Sequence, residues 1–145
     1  MTAELRPVAG EREYPRLLQV WRSSVEATHD FLTPADVEFF AERVPAYFPA
    51  VDLTVAVVDG AVAGFSGVAD GDLSMLFVHA DYRGEGIGSA LLRKAFAQFP
   101  QLTVDVNEQN SQAVGFYLHH GFVVAGRSEF DSEGRPFPLL HLKRA

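Results

Sequence analysis

The sequence contains no cysteine. That absence removes disulfides, thiolate zinc sites and cysteine nucleophiles together. It fits a reducing compartment. Basic residues are also few: 12 Lys and Arg stand against 19 Asp and Glu, a formal net charge of −7. Generic binding to nucleic acid or anionic lipid needs a basic footprint, so no nucleic-acid and no membrane partner is expected. The negative balance is compatible with a cationic acceptor. Long apolar runs are missing as well. No stretch approaches the ~20 residues of a membrane span. Residues 1–10 hold no apolar run of the signal-peptide kind. Linkers, internal repeats and low-complexity segments are not seen. The expectation is one cytoplasmic domain over residues 1–145, as a monomer or homodimer.

What is present is an ordinary globular composition, 48% hydrophobic and 21% charged over 145 residues. A chain of this length buries about two thirds of its unfolded surface, so no disulfide or metal staple is needed. No residue spacing supports a metal site.

The hydrophobic period changes several times along the chain. Glu4 to Val8 reads as a short strand. Tyr14 to Ala27 reads as a helix, with Leu17, Leu18, Trp21 and Val25 on one face. Thr33-Pro34-Ala35-Asp36 is a helix start, with Thr33 as N-cap and Pro34 at N1. Asp36 stands near the positive end of that helix. Val37, Phe40, Ala41 and Val44 give it an apolar face, and Pro45 and Pro49 are expected to end it. Leu53 to Val58 and Ala61 to Ala69 are strands around the hairpin turn Asp59-Gly60. Gly64 and Gly67 weaken the second of these or mark bulges. Leu73 to Val78 is a strand, Gly86 to Phe99 a helix, and Leu102 to Val106 a strand. Asn110 to His120 is a short helix capped by Asn110, with Gly121 just past its end. Phe122 to Phe130 and Phe137 to Leu142 form a final hairpin. Pro138 suggests that the last strand lies near an edge. His119, His120, Lys143 and Arg144 read as exposed ends. The order is β-α-α-β-β-β-α-β-α-β-β, an α/β (α+β) class with a mixed sheet. Leu73 to Val106 is its one parallel crossover.

The segment from Leu73 to Leu92 carries the most chemistry. A strand runs into Arg83-Gly84-Glu85-Gly86-Ile87-Gly88, and a helix follows. Glycines at a helix start are costly unless the backbone must approach something closely. A helix N-terminus offers free N–H groups and partial positive charge, which together cradle an anion such as phosphate. The Walker pattern fails, because Gly88 is followed by Ser89-Ala90. The dinucleotide pattern G-x-G-x-x-G fails from Gly84 at Ser89 and from Gly86 at Leu91. Asp105 does end the next strand, as a ribose-binding acid would, so a dinucleotide enzyme stays as a minor alternative. A glycine turn without ligand is the other.

Arg83-x-x-Gly86-x-Gly88 resembles the R/Q-x-x-G-x-G/A signature of the GNAT family of acyl-CoA N-acyltransferases. Leu76-Phe77-Val78 resembles that family's fourth strand. Asn107-Glu108-Gln109-Asn110-Ser111-Gln112-Ala113-Val114-Gly115-Phe116-Tyr117, followed by Gly121-Phe122, resembles its second conserved block. The likeness covers the whole chain in element order. It is nearest to small bacterial members of the YjaB type, through that block, Gly126-Arg127-Ser128 and Ala27 to Leu32. The resemblance implies a GNAT fold: about seven mostly antiparallel strands, splayed between the fourth and fifth, with four flanking helices. It implies acetyl-CoA as co-substrate and no metal. Leu76, Phe77 and Val78 would pair with the pantetheine through their backbone. Arg83, Gly84, Glu85, Gly86, Ile87, Gly88 and Ser89 would hold the pyrophosphate. Pantetheine carries two amides and behaves like an added strand, so a splayed edge suits it.

Acetyl transfer to an amine needs a neutral amine, a polarised thioester and a departing thiolate. Tyr117 resembles the family's general acid, and a phenol is protonated at neutral pH. Asn110 lies two helical turns earlier on the same face and is expected to contact the CoA or orient water. For the base, Asp72 ranks first, with Ser74 on its face as holder of a relay water; Asp105 and His29 follow. A water chain without a dedicated base is a further option. The acceptor should be read by Trp21 to Asp30, the second helix and the hairpin around Arg127 to Pro136. Glu26, Asp30 and Glu129 are its candidate acids. The expected function is an acetyl-CoA-dependent N-acetyltransferase acting on a primary amine of a small molecule or protein by direct attack. A non-catalytic acyl-CoA sensor on the same fold is the alternative.

Overall fold

The computed structural model describes residues 3–145. Its elements are β1 (Glu4–Pro7), α1 (Tyr14–Thr28), α2 (Pro34–Tyr47), β2 (Asp52–Val58), β3 (Ala61–Ala69) and β4 (Asp72–Val78). Then come α3 (Ile87–Gln98), β5 (Thr103–Asn107), α4 (Ser111–His119), β6 (Phe122–Ser128) and β7 (Leu139–Arg144). The seven strands form one sheet in the order β1-β2-β3-β4-β5-β7-β6. Every pairing is antiparallel except β4 with β5.

Local chemistry sets the first half. Thr33 Oγ1 accepts from the Asp36 N–H at 3.1 Å, and the Asp36 carboxylate accepts from the Thr33 N–H at 3.0 Å. This reciprocal box satisfies two orphan donors and starts α2. Asp59 and Gly60 both have positive φ, 50° and 82°, as the β2–β3 turn demands. α1 and α2, with Phe48 just after α2, bury Leu17, Val20, Trp21 and Val37 against Val55, Phe65 and Met75 of the sheet. On the other side α3 buries Leu92 and Ala95 with Leu73, Val104, Tyr117 and Phe122. β3 is therefore covered on both faces. A Cβ at Gly67 would lie 2.9 Å from Val51 Cγ2, so any larger residue there would have to push Val51 aside.

One expectation about proline is corrected. α2 runs through Pro45 and ends at Tyr47, and Pro49 falls in a following 3-10 turn, Phe48–Ala50. Pro45 lies in the last turn, where its missing N–H forfeits a single bond and the Phe48 N–H closes onto its carbonyl. Pro138 stands just before a strand near the edge, as expected: β7 lies next to the edge strand β6, with β5 on its other side. The proline precedes the ladder, and its carbonyl accepts from the Glu108 N–H at 2.9 Å. The last hairpin is accordingly shorter in β6 and shifted toward the C-terminus in β7. His120 is not a free end either, because its Nε2 meets Ser89 Oγ at 3.2 Å.

One feature of the sheet positions everything that follows. β4 and β5 share only two register pairs, Asp72↔Thr103 and Leu73↔Val104. At Ser74 the β3–β4 register slips, leaving this residue as the extra one of a bulge. A bulge bends and twists its strand, and the divergence begins there. Met75 to Val78 keeps its pairing to β3 but has no strand partner on the β5 side among the described residues.

Candidate active site

A cavity of about 760 Å³ opens where β4 and β5 part. The unpaired edge of β4 forms one wall, the start of α3 a second, and α4 a third. α1, α2 and the β6–β7 loop close its far end. The open edge offers unpaired backbone groups to any extended ligand.

At the α3 end the backbone turns through Gly84 and Gly86, with φ of 79° and 81°. A side chain at Gly86 would meet nothing within 4 Å, so glycine serves the backbone turn and leaves the space before it open. The first helical bond runs from the Ala90 N–H to the Gly86 carbonyl at 3.0 Å. The N–H groups of Ile87, Gly88 and Ser89 are thus left without helical partners, at the positive end of α3. Arg83 lies beside them, its guanidinium donating to Gln112 Oε1 at 2.6 Å across the groove. This set fits a pyrophosphate: free N–H donors, open space and one full positive charge.

Leu76, Phe77, Val78, Arg83, Gly84, Gly86, Ile87, Gly88, Ser89, Asn110 and Tyr117 all line the cavity. Glu85 does not, because its side chain faces solvent. Asn110 spends its side-chain oxygen on the Ala113 N–H at 3.2 Å, capping α4. Its amide NH₂ is what remains for a ligand. Tyr117 is 5% exposed. Burial, and then the nearby Asp72 carboxylate, raise its pKa above the ordinary phenol value.

The three candidate bases separate. Asp105 lines the cavity, and its Oδ1 lies 2.7 Å from His141 Nδ1. The other ring nitrogen of His141 meets Ser128 Oγ at 2.6 Å. Asp72 stands at the closed end of the strand junction and does not line the cavity. Thr103 Oγ1 donates to it at 2.5 Å. Burial, opposed by that bond and aided by the neighbouring Asp105, pushes its carboxyl up to about 6. His29 lines the cavity and is 9% exposed; burial pushes its imidazole down to about 4. Thr28 Oγ1 already donates to the Ser24 carbonyl at 2.8 Å. The contact of 2.7 Å between that oxygen and His29 Nδ1 therefore has Nδ1–H as donor. His29 is a neutral ring with a free Nε2.

At the acceptor end Phe31, Phe40 and Phe137 form an aromatic wall, with centroids 6.0 and 5.9 Å apart. Glu26, Asp30 and Glu129 stand outside the cavity; Asp131 and Glu133 line it instead. Glu133 is held by Arg43 at 3.5 Å and by the Tyr47 hydroxyl. Asp131 Oδ1 accepts from the N–H groups of Glu133 and Arg135, both at 2.9 Å, and so shapes the loop. Arg135 ties that loop to Asp36 on α2 at 2.6 Å. Among the described residues no group of His, Asp and Glu is placed to hold a metal ion. No helix there is long and apolar enough to cross a membrane. His141 escaped the sequence reading. Its signal was one titratable residue in the apolar run Leu139-Leu140-His141-Leu142, legible only once β7 is known to pair with β5.

An opened mixed sheet, an anion cradle at α3 and a buried tyrosine on α4 define an acyl-CoA-dependent transferase. Residues 22–139 match the model of the acetyltransferase (GNAT) domain, and the chain belongs to this family of acetyl-CoA-dependent N-acetyltransferases. Among its relatives is the peptidyl-lysine N-acetyltransferase YjaB of Salmonella typhimurium, 47% identical over 131 residues and 90% of each chain. The Escherichia coli K12 protein of that name is 43% identical over 131 residues, 90% of this chain and 89% of that one. The solution structure of apo-form YjaB from Escherichia coli superposes with a TM-score of 0.91 at 40% identity. That match covers 100% of this chain and 99% of the other. The PaiA N-acetyltransferase of Thermoplasma acidophilum, crystallised with coenzyme A, shares the fold at a TM-score of 0.79 and 19% identity. It covers 100% of both chains.

Proposed function

We propose that the chain transfers the acetyl group of acetyl-CoA to the side-chain amine of a peptidyl lysine. The observation that carries this reading is the cavity itself. It joins a strand edge, an anion cradle, a buried phenol, a carboxylate and an aromatic wall. An alkyl ammonium fits the acceptor end, since methylenes pack on the rings while the charge reaches Asp105. The names of the relatives support lysine as that ammonium.

In the proposed reaction Asp105 takes one proton from the ammonium. Taking it removes a charge at Asp105, whereas the same step at His29 would create one in a buried site. The free amine forms the C–N bond and the C–S bond breaks. Tyr117 gives its proton to the departing thiolate and regains one from the amide nitrogen as it forms. The products are acetyl-lysine, the thiol and one proton. Leu76 to Val78 and the Arg83–Ser89 loop, without a contribution from the Glu85 side chain, hold the co-substrate by backbone. Asn110 offers its NH₂ to that ligand. We assign the reaction to the cytoplasm, the compartment of its co-substrate.

A thiol-release assay with acetyl-CoA and a panel of lysine peptides and small amines tests this reading. Peptide-dependent release is expected. Tight acetyl-CoA binding with no release for any amine would make the chain a sensor instead.

A further inference from the structure

We propose that His141 is a positioning residue for the transfer: it aims the Asp105 carboxylate at the acceptor ammonium, and Ser128 fixes the ring in the tautomer that does so. This rests on the reading of Asp105 as the proton acceptor.

The register supplies the geometry. Asp105 on β5 lies directly opposite His141 on β7, so both side chains project from one face as nearest cross-strand neighbours. On β6 the ladder slips between Val124 and Gly126, which puts Gly126 opposite His141 and Ser128 opposite Leu139. Ser128 is thereby the diagonal neighbour of His141 on the same face. The ring is held at both nitrogens, by Asp105 at 2.7 Å and by Ser128 at 2.6 Å. Asp105 lines the cavity, while His141 and Ser128 lie outside it. The chain of bonds thus runs from the reacting centre outward across three strands.

The donor and acceptor roles follow from charge. A carboxylate oxygen only accepts, so the proton of the 2.7 Å contact belongs to Nδ1. Nε2 of the neutral ring is then an acceptor, and the Ser128 hydroxyl is the donor that it needs. His141 pins one carboxylate oxygen; the carboxyl group neighbours Asp72 of β4 and lines the cavity where the ammonium would arrive. Free rotation of that carboxylate would forfeit the alignment, and misplacement by about 1 Å costs up to ~10²-fold in rate.

The test uses the whole chain with saturating acetyl-CoA and an active lysine peptide. His141→Leu should lower kcat/KM for the peptide about 10- to 100-fold, with acetyl-CoA affinity unchanged. His141→Asn keeps an N–H where Nδ1 stands. It should recover activity to within about 3-fold of wild type. Equal losses in both variants would overturn the proposal. If neither variant folds, nitrogen-15 NMR of the wild-type ring at pH 8 decides. A protonated Nδ1 with bare Nε2 supports the proposal, and the reverse tautomer defeats it. A wild-type chain that binds acetyl-CoA but acetylates no amine overturns the transfer reading itself, and the proposal with it, before any variant is made.

Discussion

Tyr117→Phe removes one oxygen from the centre of the site and little else. The ring keeps its edge contacts with Phe116 and Phe122, at centroid distances of 5.2 and 5.8 Å. Burial and the charge of Asp72 act on its hydroxyl, and no hydrogen bond from the described residues does. The substitution therefore deletes a desolvated polar group without orphaning a partner. Stability should change by less than about 1 kcal/mol, in the favourable direction if at all. Activity should respond very differently. A positioned general acid contributes about 10²–10⁴-fold, or ~3–5 kcal/mol of transition-state stabilisation. The proton is needed only as the C–S bond breaks, so the loss belongs in kcat and not in acetyl-CoA affinity. The raised pKa adds a second signature. The phenol stays protonated well above neutral pH, so wild-type kcat should show no decline from its ionisation up to pH 9. Calorimetric binding of acetyl-CoA, thermal melting and thiol release under chemistry-limited conditions measure all three. A folded Tyr117→Phe chain with near wild-type kcat would remove Tyr117 from the mechanism.

Other perturbations follow from the same geometry. Gly86→Val forces a branched side chain onto a φ of 81° in front of the anion cradle; acetyl-CoA affinity measured by calorimetry should drop at least about 10-fold, by the strain and blockage that glycine avoids. An unchanged affinity in the folded variant would displace the ligand from that loop. Thr33→Ala breaks the capping box of α2 and should cost about 1 kcal/mol in urea unfolding, and a loss near zero would show that the box adds nothing. The Arg6 guanidinium, with the Ala9 N–H assisting, holds the Glu13 carboxyl down to about 2 against burial. Its stabilisation is complete above the ordinary glutamate range and is lost as pH falls from about 4.5 toward 2. Glu13→Gln should therefore flatten the acid side of the stability curve, and parallel curves for the two proteins would argue against that pairing.

The sequence was most legible where chemistry is local. The Thr33–Asp36 box, the Asp59-Gly60 turn and the glycine loop before α3 each need only a few adjacent residues, and each stands where it was expected. Element order followed from period changes. Pro45 misled, because a proline's effect depends on whether its missing N–H had a partner, which only the helix end decides. The base was the least legible part. Asp72 and Asp105 both flank strands, yet only the β4–β5 register shows that one sits at the closed end and the other in the opening. His141 lies 36 residues from Asp105, and no short-range pattern joins them.

The two-pair junction between β4 and β5 bears on how the chain opens as well as on what it binds. Sheet bonding between the β1–β4 block and the β5–β7–β6 block is confined to one end of that seam among the described residues. Amide protons along the seam should exchange with solvent by local opening, at a lower cost than those of β2 and β3 inside the larger block. A ligand bridging the cradle on α3, the free edge of β4 and the start of α4 becomes an interstrand tie. At a hundred times its Kd such a ligand adds about 2.7 kcal/mol by mass action. The exchange rates of the two blocks should then slow together, and the chain should unfold as one cooperative unit in place of two loosely joined ones.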